Sequence, residues 1–255
     1  MMRKGLIFGI AALAAIASAS THQPVRAAEE TTPLPEVHWS FDGPFGTFDR
    51  AAMQRGLQVY REVCSVCHSL KYVAFRNLAD LGYNEDERKA IAAEYTVTDG
   101  PNDDGEMFER PGEPSDYFPS PFPNEKAAAA ANGGAAPPDL SLMAKARVGG
   151  ATYIYALLTG YEDPPADFTG SNYNVYFPGH QIAMAAPLFE DGVAYADGTP
   201  ATVEQQARDV AHFLMWAAEP KMEDRKAMGL KVLIFLVVFT GVLYAVKRKV
   251  WKDVH

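Results

Sequence analysis

The chain has 255 residues, 48% of them hydrophobic, with 32 acidic against 23 basic side chains and a formal charge of −9. The stretch 28–226 keeps 15 of the 23 basic and 31 of the 32 acidic residues, a balance of −16. That excess argues against a nucleic-acid binder and for a cationic protein partner, whose encounter rate an acidic surface raises; the alternative is plain solubility.

The N-terminus carries Arg3 and Lys4, an apolar tract from Gly5 to Ala17 and then small residues, the layout of a secretory signal peptide. The tract is shorter than the ~20 residues a bilayer core requires, and poorer in arginine than a mitochondrial presequence. Residues 1–27 therefore read as a bacterial export signal, cleaved after Ala27 or after Ala19. Residues 28–226 then form one exported domain, long enough for a full core.

Residues 29–47 are punctuated by Pro33, Pro35, Gly43, Pro44 and Gly46 and read as an irregular lead-in. A first helix starts near Asp49, where Ala52, Gly56, Val59, Tyr60 and Val63 recur as one face. Glycine inside a helix costs about 1 kcal/mol relative to alanine, so Gly56 calls for close approach of a second helix. The matching stripe lies at 203–219, where Val203, Ala207, Val210, Ala211 and Leu214 share a face and Pro220 marks the end.

The first helix runs into Cys64-Ser65-Val66-Cys67-His68, which holds both cysteines of the chain. C-x-x-C-H is the pattern of c-type haem attachment: each thiol forms a thioether to a vinyl group and the histidine lies under the iron. A zinc site needs four ligands, and no second Cys or His pair stands at short spacing. A thioredoxin-like dithiol should follow a strand, whereas helical periodicity precedes Cys64.

Residues 97–124 read as a long irregular connection carrying Asp99, Asp103, Asp104, Glu106, Glu109, Glu113 and Asp116 beside Arg110 alone. Its Phe108, Tyr117, Phe118 and Phe122 favour order, and its charge would steer a basic carrier. An alanine/glycine bridge follows at 127–136, flexible or briefly helical. A helix is expected from Pro137-Pro138-Asp139-Leu140-Ser141 to about Gly149-Gly150, and another over 152–158. A turn-rich loop then leads to Gly179.

A haem that only carries electrons needs a sixth ligand. Met143 and Met215 fall in helical patterns, Met222 and Met228 adjoin the apolar C-terminal stretch, and Met107 lies in the acidic loop. Met184 stands apart in Phe177-Pro178-Gly179-His180-Gln181-Ile182-Ala183-Met184-Ala185-Ala186-Pro187, an extended segment bracketed by prolines. Residue chemistry favours Met184, with His180 as the competing ligand.

Residues 227–246 are apolar on all faces and span roughly 30 Å at 1.5 Å per residue, enough for one transmembrane helix. Lys231 lies one turn inside, where its stem can lift the ammonium to the interface. Lys247, Arg248, Lys249 and Lys252 mark residues 247–255 as a cytoplasmic tail, although Lys221, Arg225 and Lys226 flank the other end. With the export signal, this places the domain on the periplasmic side of the bacterial inner membrane.

The ordered set of GLQVYREVCSVCH (56–68), APPDLS (136–141), ARVGG (146–150), LLTGY (157–161), FPGHQIAMAAP (177–187) and WAAEP (216–220), followed by Asp224-Arg225-Lys226 and then a C-terminal anchor, resembles the cytochrome c1 family, the haem subunits of cytochrome bc1 complexes. The resemblance implies a mainly α, class I cytochrome c-like domain with long irregular insertions, one covalent haem c, and His68 and Met184 as axial ligands. It further implies that Arg147 and Tyr153 bind a haem propionate and that Asn132 and Pro138 line the haem pocket. Arg147 also has a physical argument, since its guanidinium fork suits a buried carboxylate; the alternative is a cap on a helix C-terminus. Val148, where relatives often carry histidine, touches none of these assignments. The implied partners are cytochrome b, a Rieske iron–sulfur protein as donor, a cytochrome c-type acceptor and membrane lipid, in a dimeric complex of respiration or photosynthesis. No bond-making catalysis falls to this chain. Two rivals are a tethered shuttle, which usually has a longer linker, and a haem enzyme, which needs a displaceable sixth site.

Overall fold

The computed structural model describes residues 32–253, so the expected export signal lies outside the described residues. The helices are α1 (Arg50–Glu62), α2 (Glu85–Ala93), α3 (Glu125–Ala131), α4 (Met143–Ala146), α5 (Gly150–Thr159), α6 (Val203–Ala218) and α7 (Met222–Val250). Strands are few and short: β1 (Thr96–Asp99) pairs with β2 (Phe108–Pro111), and β3 (Asn172–Tyr173) with β4 (Gln181–Ile182), both antiparallel.

The core is built where α1 crosses α6. Asp49 caps α1 by accepting from the N–H groups of Ala51 and Ala52, and Thr202 caps α6 by accepting from Gln205 N–H. Gly56 sits at the crossing: a Cβ there would lie 2.1 Å from the Asp209 carbonyl oxygen and 2.7 Å from Phe213 Cβ. The glycine expected to admit a second helix thus does so, and α6 is that helix. Arg55 then bridges the pair, with Nε and Nη2 donating to the buried Asp209 carboxylate at 2.8 and 3.1 Å. Helices α4 and α5 also pack on α6.

The lead-in is irregular, as expected, but much of it is core. Trp39 Nε1 donates to Thr152 Oγ1 at 2.9 Å, and Phe41 and Phe48 are buried against His212. Burial pushes His212 down to about 4, so the neutral ring can accept the Asp49 N–H at Nε2 (3.2 Å).

Three expectations need correction. The stretch 97–124 is not all irregular, because Thr96↔Pro111 through Asp99↔Phe108 pair as a hairpin. Arg110 bonds both Asp99 and Asp116, which removes two carboxylates from the free acidic set. Of the four aromatics, only Phe118 is fully buried; it meets Tyr60 and Tyr95 edge-on and Phe75 at a tilt, and anchors the return of the hairpin.

The helix expected from Pro137 begins only at Met143. The chain before it is paired to another segment instead, with Leu140 N–H bonded to the Ser69 carbonyl, so its amides are not available for a helical turn. The 127–136 bridge is helical only within α3, up to Ala131.

The apolar helix is longer than the 227–246 read from composition, because α7 starts inside the domain. Met222, expected beside the membrane, is buried in the core, and Glu223 accepts from Phe48 N–H (2.7 Å) and from both terminal nitrogens of Arg50. The apolar part of α7 is exposed along its whole length and is long enough to cross a membrane.

Candidate functional site

Helix α1 delivers Cys64 directly into a short 3-10 turn, Cys64–Val66. The turn closes when Cys67 N–H and His68 N–H both donate to the Cys64 carbonyl, at 3.2 and 2.9 Å. Both thiols are free. Burial, and after it the neighbouring Cys67, pushes the Cys64 thiol up to about 12, unlike the low-pKa attacking thiol of a dithiol oxidoreductase. Among the described residues no three His, Cys, Asp or Glu side chains gather as ligands for a separate metal ion.

His68 is oriented from outside its own segment. Its Nδ1 lies 2.8 Å from the Pro138 carbonyl oxygen; a carbonyl can only accept, so Nδ1 carries the proton and Nε2 keeps its lone pair. Burial lowers the His68 pKa, while the Pro138 carbonyl and then the Asp139 charge work against that shift. Tyr60 donates its hydroxyl proton to the His68 carbonyl at 3.2 Å.

Asp139 zips the two segments together. Its Oδ2 accepts from Ser69 Oγ (2.8 Å) and Lys71 N–H (2.9 Å), and its Oδ1 from Ser141 N–H (2.9 Å). Ser141, fully buried, accepts from Tyr72 N–H (3.1 Å). Burial opposes ionisation of Asp139, but the donors from Lys71, Ser141 and Ser69 together outweigh it and hold the carboxyl below its usual range. Pro138 thus contributes a carbonyl that fixes the histidine. The roles of Asp139, Ser69 and Ser141 escaped sequence reasoning, although an Asx residue two positions before Ser141 is a legible turn signal.

Arg147 follows α4 and is exposed, with no carboxylate within salt-bridge distance among the described residues. Tyr153 lies half-buried in α5; burial raises its pKa and the Arg147 charge pulls it back, so the two groups are electrostatic neighbours across the Gly149-Gly150 turn. Asn132 caps the end of α3 and turns its amide onto the Ala128 carbonyl (2.7 Å), a local role.

Met184 is half-buried on a loop whose backbone is pinned by two side chains. Tyr161 Oη donates to the Met184 carbonyl (3.0 Å), and Asn172 Nδ2 reaches the Ile182 and Ala183 carbonyls, each at 3.2 Å. These bonds hold the main chain and leave the thioether unclaimed. His180 has φ 57°, its Nδ1 lies 3.3 Å from the Asn174 carbonyl oxygen, and its ring packs on Tyr173. Asn174, fully buried, organises the loop: Nδ2 donates to the Leu157 carbonyl (2.7 Å), and Oδ1 accepts from Tyr176 and Phe177 N–H at 3.0 and 3.2 Å. Tyr161 carried no local sequence signal, because its partner is 23 residues away; the Asx turn of Asn174 onto Tyr176 and Phe177 was legible in principle, but its bond to Leu157 was not.

The family model described as the Cytochrome C1 family matches residues 39–254. The chain is 53% identical to "Cytochrome b/c1" of Bradyrhizobium diazoefficiens over 258 residues, which cover 91% of this chain and 38% of that longer relative. It is 52% identical to "Cytochrome c1" of Rhodospirillum rubrum over 87% of this chain and 88% of the relative. It is 50% identical to "Cytochrome c1, heme protein, mitochondrial" of Saccharomyces cerevisiae over 93% of this chain and 78% of the relative. A match that runs from the lead-in through the C-x-x-C-H turn and the Met184 loop to the end of α7 leaves one conclusion: the chain belongs to the cytochrome c1 family.

Proposed function

We propose that this chain is the haem-bearing electron-transfer subunit of a cytochrome bc1 complex, taking one electron from a Rieske iron–sulfur protein and passing it to a cytochrome c-type acceptor. The observation that carries the reading is the C-x-x-C-H turn whose histidine is locked through Nδ1 onto the Pro138 carbonyl, with Nε2 left to bind iron. The residues present fit a covalent haem c: two free thiols on one turn, a neutral imidazole of fixed tautomer, and a thioether on a pinned loop.

In this reading Cys64 and Cys67 would hold the group covalently, and His68 and Met184 would be its iron ligands. Arg147 and Tyr153, whose charge and phenol influence each other, would offer a guanidinium and a hydroxyl to a propionate. The bound haem supplies one-electron exchange between ferric and ferrous iron. The protein's part is to keep both ligands still and water away, so that the same shell serves both oxidation states. His/Met ligation favours the ferrous state more than bis-histidine ligation.

Helix α7 anchors the domain in the membrane beside cytochrome b. With residues 1–27 as an export signal, the haem domain faces the periplasm of a bacterial inner membrane and the C-terminus the cytoplasm. The name "Cytochrome b-c1 complex catalytic subunit, mitochondrial", carried by a relative in Candida albicans 51% identical over 92% of this chain, supports assignment to such a complex, which is dimeric in this reading.

The test is purification of the full chain from detergent-solubilised membranes. Covalent haem c should co-elute with b-type haem and a Rieske centre, and the preparation should reduce a cationic cytochrome with quinol. Haem c eluting without the other two centres would overturn the assignment to the complex; absence of covalent haem would overturn the reading altogether.

A further inference from the structure

Three phenylalanines lie within eight residues of the lead-in, and the fold treats them differently. Phe41 and Phe48 are buried, whereas Phe45 between them is 75% exposed. The loop that holds it out is closed: Asp42 N–H bonds the Trp39 carbonyl and Thr47 N–H the Ser40 carbonyl, each at 3.0 Å. It is also tight, since a Cβ at Gly46 would fall 2.1 Å from the Asp42 carbonyl oxygen and Gly43 has φ +68°. The exposed ring is therefore built into the loop shape.

The place of the loop identifies what the ring meets. Lys226 Nζ donates to the carbonyls at both ends of the loop, Phe41 (2.6 Å) and Gly46 (3.1 Å). Lys226 is the last residue before the apolar run of α7, whose side chains are exposed along its whole length. One turn earlier, Glu223 ties the same lead-in through Phe48 N–H and Arg50. The loop is thus fastened to α7 where its polar first turn gives way to apolar surface. Lys221 and Arg225, both exposed, are ion-paired with Asp224 and Glu219 beside it, so this turn is charged and polar. An aromatic ring at the junction of a charged turn and an apolar span matches the interfacial layer of a bilayer, where amphipathic and aromatic groups concentrate.

We propose that the 41–46 loop is a membrane-contact element, with Phe45 inserted among phospholipid headgroups and upper acyl chains beside α7. Together with the Lys226 and Glu223 contacts it gives the domain a second point of support on the bilayer. The proposal rests on the reading of α7 as a membrane span and is independent of the haem assignment.

The experiment replaces Phe45 with the photocrosslinking residue p-benzoylphenylalanine in the full chain, in native membranes. The same residue is placed singly at Phe235, Val237 and Val238 on different sides of α7, and at Val148, which is 95% exposed. After irradiation, the peptide carrying position 45 should gain the mass of a phospholipid, as should at least one α7 position, while position 148 should not. Crosslinking of position 45 to a protein subunit instead of lipid would overturn the proposal. So would lipid labelling of α7 with none at position 45, or equal labelling at position 148. Absence of lipid adducts at all three α7 positions would overturn the membrane-span reading, and this proposal with it.

Discussion

The two sides of the candidate haem site are held in different ways. On the His68 side, the proposed ligand follows a helix and a closed turn eight residues after Tyr60, and a second segment, 138–141, is bonded to it along its length. On the Met184 side, the proposed ligand rides on a loop with two-residue strands and a left-handed His180, held by single side-chain bonds to or from other segments. The first arrangement makes attachment a local property and fixes the tautomer through one contact with a second segment, the Pro138 carbonyl. The second makes the sixth position depend on a few long-range hydrogen bonds, the kind of region that opens first.

The largest effect should come from removing the His68 side's covalent hold. C64S together with C67S should abolish covalent haem, because no other thiol exists in the chain. Haem staining after denaturing electrophoresis reads this directly, and retained stain would contradict the attachment site.

Met184→Leu should come next: haem stays attached, its potential falls, carbon monoxide binds, and quinol-to-cytochrome turnover collapses. H180A should leave the potential near that of the wild type. The reverse pattern would transfer the ligand role to His180.

The supports themselves can then be compared. N174A leaves the Leu157 carbonyl and the Tyr176 and Phe177 amides without their partner, at roughly 1–3 kcal/mol for each group that stays unsatisfied. It should raise carbon monoxide binding while covalent haem is unchanged. D139N should instead loosen the His68 side and lower denaturation midpoints, by roughly 1–3 kcal/mol at neutral pH. Because the Asp139 carboxyl is held below its usual range, its contribution is present above the ordinary carboxylate value near ~4 and is lost as pH falls through the depressed one. Wild type and D139N should therefore converge in strong acid. A gap that persists there would mean the carboxylate charge is not what matters.

The smallest effect should be that of the acidic hairpin. Asp103, Asp104 and Glu106 are exposed at its tip, while Asp99 and Asp116 are already paired with Arg110. Replacing the three with Asn, Asn and Gln should slow association with a cationic cytochrome severalfold at low salt and have no effect at high salt, since exposed charges reach about 8 Å at physiological ionic strength. An unchanged low-salt rate in stopped-flow mixing would remove the hairpin from the docking surface.

Much was legible along the chain because it depends on neighbours in sequence. The C-x-x-C-H run, the stripes of α1 and α6, the apolar run of α7 and the need for a partner at Gly56 are periodicities or short spacings, which a linear reading can measure. The tertiary structure decided the rest. Residues 137–142 form no helix because Ser69 and Asp139 claim their amides, the acidic stretch becomes a hairpin because Phe118 docks and Arg110 bridges it, and α7 begins at Met222 because Glu223 meets Phe48 and Arg50. Each of these depends on a backbone or charged group satisfied by a residue distant in sequence. No local propensity carries that information, because a buried polar group accepts whichever partner the packing brings within reach.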